Sequence, residues 1–326
     1  MILNKNLSLK RLTNFLNLLI NVAAVTVSGP DIGMGHLIRT IQLLSLLDKE
    51  KFKYEIVGEN YSLPTWIHRF NHKFTKLRDI DISSLNKFDL VIFDSYLQRD
   101  ILDNVSTKTL LIDDFNYLGD TKVDMILDYN YGSSSDLYQD DLEVFVSPDY
   151  FPISYNTIPE YYNMTNTCFN IDGDILLSFG GVSDKKLIDI KKQINFYKRF
   201  GDIILMDPLS KLNEFKPYVK DLIQNQSLSD IFSTRKIKFS KVAGGTSKYI
   251  CLAYNIPIIY VHRNDLEKYS IDKLKQNNLC LEEKDLEDLH NQDLINQKLI
   301  YLNNKYSELF FFNKAGSINN KLQTLI

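Results

Sequence analysis

Cysteine is scarce here. The three present, Cys168, Cys251 and Cys280, stand far apart in no metal-ligand or C-x-x-C spacing, which argues against a disulfide framework and fits a reducing, cytoplasmic setting. No run approaches the roughly 20 apolar residues that a membrane span needs. Charge of one sign is not in excess either: a formal net charge of -3 over 326 residues is too balanced for a protein that grips nucleic acid by electrostatics. Metal-ligand clusters are also wanting. His68 and His72 stand at i, i+4 without a third ligand nearby, and Asp79-Ile80-Asp81 and Asp172-Gly173-Asp174 are triplets that arise freely in a chain rich in Asp and Asn. These absences leave a soluble globular protein, with 44% hydrophobic residues and enough length for two domains with cores of their own.

What is there begins with Val22 to Leu47. An apolar, β-branched run to Val27 gives way to Ser28-Gly29-Pro30, then to Gly33-Met34-Gly35-His36, then to Leu37, Ile38, Ile41, Leu44 and Leu47 at helical spacing. That is strand, glycine-rich turn and helix. Such a turn lets backbone approach a ligand and aims the free N–H groups of the first helical turn at an anion. The third glycine of the dinucleotide fingerprint is missing, as is the Gly-Lys-Ser/Thr of a P-loop, so neither site is supported. An imidazole, His36, stands at the mouth of this turn instead. Upstream, Leu9, Leu12, Phe15, Leu16 and Leu19 share one face of an expected N-terminal helix over residues 1–20, laid on the domain, a partner or a membrane surface.

Alternation continues downstream. Strands are expected at Lys53 to Gly58, Phe88 to Asp94, Thr109 to Asp113 and Met125 to Tyr129, with helices at Leu63 to Phe70 and Arg99 to Val105. Strands apolar on both faces and separated by helices mean a parallel sheet covered on both sides. Ligands sit beyond the carboxyl ends of such strands, which brings Asp94, Asp113, Asp114 and Asn130 to the same edge as His36. Acidic residues there also serve as caps for the next helix. Pro148 to Asn170 has no period and reads as the crossing between a domain at 21–150 and a second at 172–326, through a linker at 151–171. The second domain repeats the plan: a strand from Asp174, a Gly180-Gly181 turn and helix, a strand at Gly201 to Met206, helix-like segments from Lys216 to Phe232, a strand at Ile237 to Val242, the Gly244-Gly245-Thr246-Ser247 turn, a helix to Tyr254 and a strand at Ile256 to Val261. A helical end from Gln292, broken at Gly316, folds back over the domain junction. The fold class is α/β, with two Rossmann-like domains facing across a cleft.

The order GMGHLIR (Gly33 to Arg39), FDLVIFDSY (Phe88 to Tyr96), LIDD (Leu111 to Asp114), LDYNYG (Leu127 to Gly132), LLSFGGVSDKKL (Leu176 to Leu187) and AGGTSKYICLAYNIPIIYV (Ala243 to Val261) resembles the UDP-sugar hydrolase of pseudaminic acid biosynthesis, which shares the GT-B fold of glycosyltransferases. The resemblance implies a catalytic role for His36, beside Gly33 and Gly35, and for Asn130, with Asp94 at the same edge. It implies a nucleotide and phosphate site at Gly180, Gly181, Ser183, Gly244, Gly245, Thr246 and Ser247, with a UDP-sugar as substrate and no cofactor. Where the family carries a glutamate that grips the ribose hydroxyls, this chain has Ile250. A carboxylate makes charge-assisted bonds there that isoleucine cannot, so weak UDP binding is expected.

In the hydrolase reading His36 takes a proton from water as it attacks the anomeric carbon, while backbone N–H groups hold the departing diphosphate in place of a metal ion. A glycosyltransferase of surface polysaccharide synthesis uses the same fold with an acceptor hydroxyl. A diverged relative that only binds a sugar nucleotide is the third reading, prompted by Ile250.

Overall fold

The computed structural model describes residues 19–29, 34–60, 67, 73–76, 81–96, 99–119, 121–153, 168–179, 187–208, 210–243, 245–261, 265–288, 291–309 and 315–325. Two parallel sheets organise them. The first has the order β3-β2-β1-β4-β5-β6-β7, from β1 (Ile20–Ser28), β2 (Phe52–Asn60), β3 (Lys73–Thr75), β4 (Leu90–Asp94), β5 (Lys108–Ile112), β6 (Met125–Asp128) and β7 (Glu143–Val146). The second has the order β10-β9-β8-β11-β12, from β8 (Phe169–Ser178), β9 (Ile203–Met206), β10 (Asp221–Ile223), β11 (Ile237–Ala243) and β12 (Ile258–Val261). All pairings are parallel.

The period of two along each strand splits the first sheet's side chains between two cores. Val22, Ala24, Leu90, Ile92, Leu110 and Met125 join one core, while Ala23, Val25, Val91, Phe93, Leu111 and Ile126 join the other. Each fully buried aliphatic side chain contributes about 1.5–3 kcal/mol, so a strand such as β4, buried at all five residues, is fixed in register by both faces. In both sheets the chain order reverses beside the first strand, at β1/β4 and at β8/β11. A crevice opens at such a point, where successive helices leave for opposite faces.

The helices that matter here start at these crevices. Helix α1 (Gly35–Leu46) follows β1; α2 (Arg99–Leu102) follows β4. In the second half α3 (Leu187–Tyr197), α4 (Leu228–Thr234) and α5 (Thr246–Ala253) cover the sheet, with α5 leaving β11. Next come α6 (Asp265–Gln276), α7 (Glu283–Asp288), α8 (Gln292–Leu309) and α9 (Ala315–Leu325). Helix α9 packs on α1 and on the Pro148–Tyr150 turn of the first half, burying Ile318 and Leu322.

Several local expectations need correction. The stretch from Lys216 to Phe232 is not helical throughout: it holds the end of a 3-10 turn (Asn213–Tyr218), strand β10 and α4. Pro217 and the three-residue length of β10 hide that strand from periodicity. Gly316 does not break the terminal helix, being the second residue of α9; in a first turn its N–H has no intrahelical partner, so little is lost. Strands β3 and β7 were not anticipated. The expected helices at 9–19 and 63–70 lie outside the described residues, apart from Leu19 and Ile67. Among the described residues no helix is long and apolar enough to cross a membrane.

Candidate active site

His36 is the second residue of α1, at the carboxyl end of β1, and Asp94 closes the neighbouring strand β4. The switch point thus brings them together from 58 positions apart, with His36 Nδ1 2.6 Å from Asp94 Oδ1. Asp94 is fully buried. Burial pushes its pKa up, but the Arg39 guanidinium and His36 outweigh this and hold it below the ordinary carboxylate range. An ionised carboxylate only accepts, so Nδ1 donates to Asp94, and in the neutral ring Nε2 is then the basic nitrogen.

Arg39, one turn after His36, is the hub. Its Nε lies 2.9 and 2.7 Å from the two oxygens of Asp94, and Nη2 donates to Oδ1 at 2.5 Å. Its Nη1 donates to Asp114 at 3.2 and 2.9 Å and to the Tyr129 hydroxyl at 2.9 Å. Burial alone would lower the guanidinium's pKa, but Asp114 and Asp94 keep it well above its usual value. Asp114, just beyond β5, is held well below the carboxylate range: the Arg39 charge and hydrogen bonds from Tyr96 and Asn130 overcome its burial. Thr40 Oγ1 donates to Asp94 Oδ2 at 3.0 Å. These acids therefore bind side chains of the site.

Asn130, beyond β6, donates from Nδ2 to Asp114 Oδ1 at 2.5 Å and to Asp128 Oδ1 at 2.8 Å. Asp128 also accepts from the Phe115 N–H at 2.9 Å and the Tyr138 hydroxyl at 2.8 Å. These bonds hold Phe115 and Asn116 in the left-handed region, at φ 57° and 56°, a backbone state that costs energy and clusters at functional sites. The loop so shaped carries Tyr117, exposed, against Tyr96, whose ring meets the His36 ring edge-on at 4.6 Å. Asp113, behind this edge, has its carboxyl pushed up to about 7 by burial and by its neighbours Asp114 and Asp128.

Opposite His36 stands the start of α5. Gly245 is its N-cap, and Thr246 and Ser247 form its first turn, with no side chain capping the N–H groups. Helix α1 likewise starts without a side-chain cap. Thr246 Oγ1 donates to the Gly35 carbonyl at 3.2 Å, so the two turns touch. Two uncapped helix N-termini converging beside an imidazole suit an anion such as a diphosphate. Lys248, buried one turn in, has its ammonium pushed down to about 8 by burial against the pull of Asp114, Glu267 and Asp128.

A scan of protein-family models matches none to this chain, and a search of curated proteins finds no significant relative. Solved structures do match across nearly the whole length. The glycosyltransferase SsfS6 of Streptomyces sp. SF2575, complexed with thymidine diphosphate, superposes with a TM-score of 0.55 at 10% identity, over 93% of this chain and 99% of that one. The chain has the GT-B fold. UGT2 of Phytolacca americana, complexed with UDP-2fluoro-glucose and pterostilbene, gives 0.58 at 10% identity, over 94% and 98%. A Listeria monocytogenes protein designated a UDP-N-acetylglucosamine 2-epimerase gives 0.56 at 13%, over 94% and 95%. None of these matches singles out the pseudaminic acid hydrolase.

On this GT-B frame the expected residues divide. His36, Asp94, Asn130 and Gly35 meet at the first sheet's edge, and Gly245, Thr246 and Ser247 face them. Gly33, Gly180, Gly181, Ser183 and Gly244 lie outside the described residues. Ile250 is 6% exposed and packs in the continuous apolar core, so this position looks into the domain. Sequence reasoning passed over Arg39, Tyr129, Lys248 and Tyr249. The signal for Arg39 was a charge placed among the apolar positions of α1; the others read as core.

Proposed function

We propose that the protein transfers a sugar from a nucleoside-diphosphate sugar to an acceptor hydroxyl. The observation that carries this reading is the His36–Asp94 pair facing the uncapped start of α5. Nε2 of His36 takes the hydroxyl proton as the acceptor oxygen bonds to the anomeric carbon; the bond from that carbon to the diphosphate breaks, and the nucleoside diphosphate leaves. Asp94 fixes the imidazole's tautomer and stabilises the imidazolium as it forms. Backbone N–H groups at Gly245, Thr246 and Ser247 meet the charge growing on the leaving group. In this reading the first sheet and its helices activate the acceptor and the second sheet and its helices hold the nucleotide; the second sheet begins at Phe169, inside the linker expected at 151–171. The glycosyltransferases among the structural neighbours support an alcohol as nucleophile.

Hydrolysis of a UDP-linked amino sugar uses the same pair with water, and the order of motifs from Gly33 to Val261 favours it as the second reading. The test is release of nucleoside diphosphate from UDP-N-acetylglucosamine, UDP-glucose and dTDP-glucose, with and without alcohol and sugar acceptors. Acceptor-dependent release supports transfer, and release in water alone supports hydrolysis. Equal rates for the natural protein and His36→Ala overturn both.

A further inference from the structure

Tyr249 sits one turn into α5, immediately beyond the Thr246-Ser247 turn, and is 1% exposed. Its ring leaves its own domain and packs on Tyr129 and Phe151 of the first half, with ring centroids at 5.2 and 5.1 Å, the two partners themselves in edge contact at 4.9 Å. Its hydroxyl donates to Asn130 Oδ1 at 3.1 Å and accepts from the Tyr131 N–H at 2.9 Å. This is a two-point clasp between residues 118 and 119 positions apart. The socket is preset, because Asn130 Nδ2 donates to Asp114 and Asp128. Two carboxylates admit only the amide's N–H side, so its oxygen must point at Tyr249. Asp114 is also the carboxylate that braces Arg39, and Arg39 braces Asp94 against His36.

From this geometry we infer that Tyr249 is a positioning residue that sets the distance between His36 and the diphosphate turn. The inference rests on the proposed function. Helix α5 is a short rigid rod, so its first turn, where the diphosphate is held, and Tyr249, which docks on the first domain, move as one. Nucleotide affinity depends on the turn; rate depends on where the turn stands relative to His36. Misplacement by about 1 Å costs up to about 10²-fold in rate.

The experiment compares Tyr249→Phe, which keeps the ring and loses the clasp, with Asn130→Ala, which removes the same bond from the other side. Expected in both is a fall in kcat of roughly 10- to 100-fold with whichever of the three donors turns over, while Kd for UDP alone stays within about threefold; Tm changes little in Tyr249→Phe and falls in Asn130→Ala, which also takes the Nδ2 donor away from Asp114 and Asp128. The double variant should be no slower than the slower single one, because both break one link. The inference is overturned by kcat within twofold of the natural protein in Tyr249→Phe, or by parallel loss of kcat, UDP affinity and Tm in Tyr249→Phe. Full activity in Tyr249→Phe with none in His36→Ala removes only the positioning role; full activity in His36→Ala removes the underlying reading.

Discussion

The carboxyl edges of the two sheets share a topology and differ in chemistry. At the first, side chains dominate: His36, Arg39, Asp94, Asp114 and Asn130 converge from α1 and from the ends of β4, β5 and β6. At the second, the turn at Gly245 offers backbone, and the helix behind it is packed with Tyr249, Ile250, Cys251 and Leu252. In the proposed function the duplicated architecture divides between proton handling, which needs titratable groups in fixed geometry, and anion holding, which needs only close backbone and an uncapped helix.

The comparison breaks most sharply at His36. His36→Ala should lower kcat by roughly two to four orders of magnitude, the usual worth of a positioned general base, while the melting temperature holds; turnover within tenfold of the natural protein removes it from the proposed mechanism. Arg39→Met probes the same edge through stability. Removing the guanidinium strands two buried carboxylates, a loss of about 3–5 kcal/mol in urea unfolding at neutral pH. A loss under about 1 kcal/mol would mean water already reaches the pair. On the other edge, Ile250→Glu distinguishes a ribose-facing position from a core one. Since Ile250 lies in the core, the new carboxyl should cost about 1–3 kcal/mol of stability and leave UDP affinity no better. A tenfold gain in affinity would place a ribose contact at this position.

Gly245→Val tests whether backbone alone holds the anion. A Cβ at the approach to the diphosphate should weaken UDP binding about tenfold, or about 1.4 kcal/mol, with most thermal stability kept. Loss of folding together with binding would favour a plain strand-to-helix turn. An effect that varies with pH belongs to Asp113, whose folded pKa of about 7 stands above its ordinary 3.8. A raised folded pKa gives stability that is fully present below the ordinary value and lost as pH rises through about 7. Asp113→Asn should therefore gain in Tm relative to the natural protein between pH 5 and pH 8. A pH-independent difference would show that the carboxyl titrates normally.

Sequence carried much of the fold because the central strands are apolar on both faces: β1, β4, β5 and β11 announce themselves as buried runs. Strands β3, β7 and β10, of three or four residues with partly exposed side chains, are too short for a period to register. His36, Asp94 and Asn130 were legible because position at a strand end and beside a glycine turn is a one-dimensional property. Arg39 was not. An arginine on an amphipathic helix ordinarily faces water, and only the pairing of β1 with β4 and of β4 with β5 delivers the two carboxylates that bury it. Tyr249 had the same disguise, as an aromatic in an apolar helix whose hydroxyl reaches Asn130 and Tyr131 across the domain boundary.

Helix α9 has a mechanical consequence. The chain leaves the first half beyond residue 153, builds the second sheet, and is back against α1 by Ala315, where Lys321 donates to Glu143 at 2.9 Å. A body held by one strand of polypeptide can swing in any direction; one held at two separated points can only turn about the line between them. Two attachments leave the halves fewer relative rotations than one would. The second attachment thereby helps keep the face bearing Thr246 against the face bearing Gly35.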